Sequence, residues 1–222
     1  MDSEHRRLAA QLTAATQVTD GPWRYVEGRL GSNELVLTQC GIGKVNAAMG
    51  TTELIRRYRP QCVISTGVAG GIDKRLRVAD VVVSQRVVYH DVWCGEGCAW
   101  GQVQGLPLYF EGCEQLVQLA LSLNDARILT GLICTGDRFI TDRHELDAIK
   151  AAFPDGLAVD MESAAIAQVC QVYGTPFVSF RIISDTPGVD DHLAQYADFW
   201  GEMADRSFLT TWHFLCALPD GL

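Results

Sequence analysis

Two carboxylates stand one residue apart in LAVDMESAAIA (157–167), where Asp160 and Glu162 interrupt text that is otherwise apolar enough to be buried. Burying an unpaired charge is expensive, so each carboxylate needs a reason to be there. One reason is local: an acidic residue just before Ser163 can cap the following helix. The other is chemical, a carboxylate held ready for a polar ligand. FRIISD (180–185) poses the same choice, with Arg181 inside a strand and Asp185 at its end. Arg181 can neutralise a buried carboxylate, or Arg181 and Asp185 can face one polar ligand together.

Three further stretches carry chemistry-bearing text at strand ends. After Cys40 comes GIGKVN (41–46), after CVIST comes GVAGG (67–71), and after Cys134 comes TGDRFI (135–140). In open α/β sheets ligands collect at the carboxyl ends of strands. GIGKVN is not a dinucleotide fingerprint, because Asn46 stands where the third glycine belongs and the motif does not sit in the first βαβ turn. A tight turn into a helix N-terminus explains Gly41 and Gly43 by itself. The small residues Thr66 to Gly71 allow backbone N–H groups to approach a ligand closely, and they also suit a purely structural turn.

The elements that must position these residues alternate. A helix is expected over 3–16, strands over 23–30 and 34–40 joined by the turn at 31–33, and a helix over 44–57. Strands follow at 62–66 and 79–91, then a helix at 113–123, a strand at 128–134 and a helix at 143–152. The last has Asp142 and Glu145 at capping-box spacing and stops before Pro154. The strand LAVDM leads to a helix ending at Gly174, then to a strand at 177–184 and a closing helix at about 195–216. This pattern implies a single α/β domain over residues 1–222, with a central mixed, mainly parallel sheet flanked by helices. Residues 92–110 differ in character, packing two Trp, four Gly, Pro107 and Tyr109 into one irregular stretch.

Composition narrows the partners. A length of 222 residues suits one core, and a net charge of −9 argues against nucleic acid or an anionic membrane surface. No apolar run has signal-peptide or membrane-spanning length, so a cytoplasmic protein is expected. Of eight cysteines, Cys40, Cys62, Cys134 and Cys170 sit in apolar runs as packed thiols, and Cys94, Cys98 and Cys113 lack a fourth ligand for a metal. Neither metal nor cofactor is expected.

Taken in order, CGIGKV (40–45), TGVAGG (66–71), TGDRFI (135–140), VDMESAAIA (159–167) and RIISD (181–185) resemble the motifs of the 5′-methylthioadenosine/S-adenosylhomocysteine nucleosidases, in the purine nucleoside phosphorylase superfamily. The resemblance spans nearly the whole chain. It implies the nucleoside phosphorylase-like fold and hydrolysis of the N-glycosidic bond of 5′-substituted adenosines, which passes through an oxocarbenium-like state. By resemblance Asp185 is the general acid toward N7 of adenine, oriented by Ser184. Glu162 accepts the ribose hydroxyls, with Met161 against the sugar and Arg181 close by. Phe139 stacks on adenine, and the backbone of Ile140 reads its edge. Ala69 and Gly70 contribute backbone, and Ile42 and Tyr196 line the pocket for the 5′ substituent. The family closes that pocket with a loop of a second subunit, here matched by 92–110, so a homodimer is expected.

Glu4, in Met1-Asp2-Ser3-Glu4, resembles the family's water-activating base. The family places an apolar strand ahead of that segment, and the sequence given starts at Met1. The expected domain therefore lacks the family's first strand, either because upstream residues are missing or because the protein is compromised. Val68 also departs from the family, which often has Ser there. Three rivals share the motifs: a phosphate-dependent nucleoside phosphorylase, a futalosine hydrolase, and a non-catalytic nucleoside-binding protein. Phosphate wants Arg at its site, and CVISTGVAGG has none.

Overall fold

The computed structural model describes residues 2–123, 127–186, 199 and 204–220. Two sheets organise them. A three-stranded antiparallel sheet holds β1 (Thr13–Asp20), β2 (Trp23–Leu30) and β3 (Asn33–Thr38) in the order β1-β2-β3. A six-stranded mixed sheet holds β4 (Val63–Gly71), β5 (Val81–Tyr89), β6 (Phe110–Glu111), β7 (Ile128–Thr135), β8 (Gly156–Asp160) and β9 (Phe177–Asp185). Its order is β6-β5-β7-β8-β4-β9, and a further antiparallel pairing of β5 with β9 closes it into a barrel-like ring. The long ladders β4–β9, β5–β7 and β7–β8 are parallel, while β4–β8, β5–β6 and β5–β9 are short and antiparallel. The expected α/β architecture with a mixed, mainly parallel sheet is present.

Helices α1 (Asp2–Gln11), α2 (Lys44–Tyr58), α3 (Glu114–Leu121), α4 (Arg143–Ala152), α5 (Ser163–Tyr173) and α6 (Ala204–Cys216) cover the sheets. One face of the barrel packs α2 and α5 through Ala47, Ile55, Ala164, Ala167 and Cys170. On the other, Leu8, Val117, Phe180, Phe199 and Phe214 form a second cluster, with Phe180 and Phe214 stacked at 5.0 Å. None of the helices among the described residues is long and apolar enough to cross a membrane. All eight cysteines are free, and burial pushes Cys62 up to about 11 and Cys170 to about 12, which suits packed thiols rather than nucleophiles.

Three local expectations are corrected. The helix expected over 3–16 stops at Gln11, and 13–16 opens β1 instead. Leu12 is buried against Gly28 of β2, where a Cβ would come 2.8 Å from that of Leu12. This contact turns the chain, and Ala14, at φ 53, takes up a bulge opposite β2. GVAGG is not a turn after a strand but the second half of β4, with Gly67 to Gly70 paired to β9 and Gly70 and Gly71 to β8. Glu145 does not complete a capping box: Asp142 caps α4 by accepting from the His144 N–H at 2.7 Å, while Glu145 pairs with Arg138. The remaining elements lie within a few residues of expectation, and Gly174 ends α5 in the left-handed region at φ 67. Of the expected helix over 195–216, the described part is α6, and Tyr196 lies outside the described residues.

Candidate active site

The C-terminal end of β9 carries the densest chemistry. β9 runs alongside β4 in regular register until Ala69 opposite Ile183, and then Gly70 pairs with Asp185, leaving Ser184 as a bulge. Strict alternation would send adjacent side chains to opposite faces; the bulge breaks it, so Ser184 and Asp185 line the same cavity. The Ser184 hydroxyl donates to Asp185 Oδ1 at 2.7 Å and lies 3.4 Å from the Ala69 carbonyl. Both residues are buried.

Arg181, two turns of the pleat earlier, is 2% exposed. Its Nε donates to Asp160 Oδ2 at 2.8 Å, its Nη2 donates to Ser65 Oγ at 3.0 Å, and Nη2 lies 4.0 Å from Glu162 Oε2. Gly67 makes the passage possible, since a Cβ there would meet Arg181 Nη1 at 2.9 Å. Burial alone would lower the guanidinium pKa, but Asp160 and Glu162 outweigh it and raise it. The cation is permanent.

Asp160 settles the choice between cap and ligand for the paired carboxylates. It is the capping residue: its carboxylate accepts the Ser163 N–H at 3.1 Å, the Ser163 hydroxyl, and the Thr135 hydroxyl at 2.6 Å. Thr135 in turn accepts the Ala164 N–H at 2.9 Å. Glu162, although at the cap position of α5, makes no side-chain capping bond. Its Oε1 accepts the Gly43 N–H at 2.9 Å across the cavity. Burial raises the Glu162 pKa; Asp160 adds to this, while Arg181 and the Gly43 N–H oppose it.

One cavity of about 1180 Å³ gathers these groups. Its walls include Asp160, Met161 and Glu162 from the end of β8, Arg181, Ser184 and Asp185 from β9, Ala69 and Gly70 from β4, Phe139 and Ile140 from the segment after β7, and Ile42 ahead of α2. Glu4 of α1 lines it too, half-buried, with Oε1 3.5 Å from the Thr211 hydroxyl. Eleven of the twelve expected site residues thus meet at one cavity, the twelfth being Tyr196. The cavity also extends between β3 and β4, past Leu35, Leu37, Cys62 and Ile64. Among the described residues no group of three His, Cys, Asp or Glu is arranged to hold a metal ion.

Four supports escaped the sequence. Asp160 was visible as a buried carboxylate and Arg181 as a cation able to neutralise one, but not that these two are the pair. Ser65 and Gly67 carry no signal of their own, because their part depends on the β4–β9 register. Gly43 reads as a turn glycine, and only its opposition to Glu162 gives it a second duty.

The chain matches the model of the phosphorylase superfamily over residues 1–215. It is 45% identical over 199 residues to the 5′-methylthioadenosine/S-adenosylhomocysteine nucleosidase of Geobacillus kaustophilus, covering 87% of this chain and 85% of that protein. The crystal structure of the corresponding nucleosidase from Neisseria meningitidis in complex with methylthio-immucillin-A superposes with a TM-score of 0.92 at 36% identity, covering 98% of this chain and 96% of that one. The futalosine hydrolase of Helicobacter pylori superposes with a TM-score of 0.88 at 25% identity, covering 97% and 93%.

Proposed function

The chain belongs to the 5′-methylthioadenosine/S-adenosylhomocysteine nucleosidase family of the phosphorylase superfamily, and we propose that Asp185, Glu162, Arg181 and Glu4 carry out its hydrolysis. The reaction splits the C1′–N9 bond of a 5′-substituted adenosine and adds water to the sugar, releasing adenine. The observation that carries this assignment is the convergence of an oriented carboxyl, a paired carboxylate and an aromatic ring on one cavity.

Asp185 acts as general acid. The Ser184 hydroxyl donates to its Oδ1 at 2.7 Å and orients the carboxyl on the cavity wall, where N7 of the base would meet it. Protonation turns adenine into a neutral leaving group. Glu162 accepts the ribose hydroxyls, and its charge favours the oxocarbenium character that develops at C1′. Arg181 keeps that carboxylate in place without quenching it, because Asp160 already takes the closer contact at 2.8 Å. Phe139 stacks on the base, the Ile140 backbone reads its edge, and Met161 packs on the sugar. Glu4 activates the water; its position on the cavity wall supports that role.

Three further parts belong to the same proposal. A homodimer covers the 5′ pocket; the exposure of Ile42, Val45, Met49, Trp93 and Trp100 around α2 and the 92–110 stretch supports it. One more apolar strand fits between β3 and β4, where neither edge is paired across the gap among the described residues. The protein works in the cytoplasm.

Incubation with methylthioadenosine, with and without phosphate, tests the activity. Adenine release at the same rate in both is expected; strict phosphate dependence would select a phosphorylase, and no release from any 5′-substituted adenosine would overturn the assignment. A futalosine hydrolase is the second reading, favoured by its TM-score of 0.88 but not by its 25% identity against 45% for the nucleosidase. Futalosine in the same assay separates the two.

A further inference from the structure

Glu162 can bind ribose as a carboxylate only if something compensates its burial. Facing it are Arg181 from β9, Asp160 from the end of β8, Cys40 beyond β3, the Met161 backbone and the Gly43 N–H ahead of α2. Arg181 is shared with Asp160, whereas the Gly43 N–H gives Glu162 a short hydrogen bond of its own, at 2.9 Å, beside the Met161 backbone. That N–H belongs to the Ile42–Gly43 peptide, whose carbonyl accepts from the Asn46 side chain at 2.7 Å within the turn. Gly43 sits at φ 90, and as the cap residue of α2 it supplies no capping bond. The first N–H groups of a helix have no intrahelical partner and must be taken up from elsewhere.

The partner comes from another loop. Asp137, in TGDRFI after β7, accepts the Lys44 N–H on Oδ1 at 2.7 Å, so it caps α2 from a distance of 93 residues along the chain. A Cβ on Gly43 would stand 3.0 Å from that same oxygen. Asp137 is itself fixed: its N–H donates to Asp91 Oδ2 at 2.9 Å, and Asp91 accepts the Lys44 ammonium on both oxygens at 2.8 Å. Lys44 Nζ also lies 3.9 Å from Asp137 Oδ2 and 5.4 Å from the Tyr89 ring centre. Burial opposes the Asp91 charge, but Lys44 and the Asp137 N–H hold its pKa below the ordinary value. Three loops, after β5, before α2 and after β7, are thereby locked together. Two successive N–H groups at the start of α2 are divided between two carboxylates, Asp137 on Lys44 and Glu162 on Gly43.

We propose that Asp137 is a positioning residue for catalysis: by capping α2 it aims the Gly43 N–H at Glu162, and Lys44 with Asp91 holds Asp137 to that task. The inference rests on Glu162 being the ribose-binding carboxylate. It assigns TGDRFI a second role besides contacting the base, since the same loop sets the ribose end.

Asp137→Ala tests it against Asp137→Asn, which keeps the accepting oxygen. Asp137→Ala is expected to lower kcat/KM for methylthioadenosine about tenfold, the scale of one charge-assisted hydrogen bond lost, mainly through KM. It should also move the acid limb of the kcat/KM profile to higher pH, because Glu162 loses a contact that favours its charged form. Asp137→Asn is expected to stay within about threefold of the wild type, since an amide oxygen still caps. An unmoved acid limb in Asp137→Ala, or equal losses in both variants, would overturn the proposal. Gly43→Ala disturbs the contact from the other side and is expected to shift the limb in the same direction, which keeps the test decisive if Asp137→Ala does not fold. Titration of the Glu162 carboxyl by 13C NMR in ligand-free protein, with the peak assigned by Glu162→Gln, needs no turnover. A shift there with no adenine released by the wild type would overturn the substrate assignment and leave the positioning intact; no shift in an active enzyme would do the reverse.

Discussion

The floor of the cavity and its rim are built in opposite ways. Beneath Glu162, Arg181 is 2% exposed and Asp160 7%, and each of their charges is matched by a partner at hydrogen-bond distance. At the rim Ile42 is 72% exposed and Phe139 51%, on short loops between elements. The floor stands on β4, β8 and β9, where a charge without a partner would cost several kcal/mol. The rim stands on loops, which can vary without disturbing the core. Under the proposed assignment, the groups that bind ribose sit where geometry is over-determined, and Ile42 and Phe139 meet the 5′ group and the base where the chain is free to be covered or changed.

The largest way to break the floor is at its reacting end. Asp185→Asn should lower adenine release roughly 10²- to 10⁴-fold, the range for loss of a general acid, with an unaltered circular dichroism spectrum. Activity near the wild-type level would remove Asp185 from its role. Asp160→Ala attacks the support instead, leaving Arg181 without its closest anion. Chemical denaturation should report a loss of about 3–5 kcal/mol, as for other broken buried pairs, and turnover should fall with it.

Glu162→Gln separates stability from activity. The Glu162 pKa is raised in the folded protein chiefly by burial, so the charged form destabilises the fold once pH exceeds the ordinary carboxylate value of 4.5. The variant should therefore have a higher denaturation midpoint than the wild type at neutral pH. That advantage should shrink as pH falls through the raised value and vanish below 4.5, while kcat/KM is reduced at every pH. The smallest effect is expected at the rim. Trp93→Ser should leave stability within about 0.5 kcal/mol, as at most surface sites, while sedimentation shows a shift toward monomer and KM rises a few-fold. An unchanged oligomeric state with unchanged KM would show that the rim needs no cover from Trp93.

Legibility in the sequence followed burial. β5, β7 and β9 are mostly buried and rich in Val, Ile, Leu and Phe, and were recognisable within a few residues. TAATQVTD of β1 was not, because seven of its eight side chains are exposed and nothing in it alternates. It is a strand only because β2 pairs with it, residue by residue from Thr16 to Asp20. GVAGG misled for the converse reason. Glycine-rich text usually ends a strand, yet here the missing side chains let Arg181 cross over Gly67 and let Leu76 and Ile183 crowd Gly71.

At the site the same division holds. The types and order of residues from CGIGKV to RIISD pointed to a nucleosidase-like pocket, and eleven of the twelve residues expected at it line one cavity. Which of Asp160 and Glu162 caps α5, what keeps Arg181 charged, and how Asp137 reaches α2 were decided by the tertiary structure. The cap bond of Asp160 spans only three residues, but the contacts that draw Glu162 to Gly43, hold Arg181 and bring Asp137 to α2 join residues 21 to 119 apart. Residue types set what a side chain can do, and only packing and register determine which partner it meets.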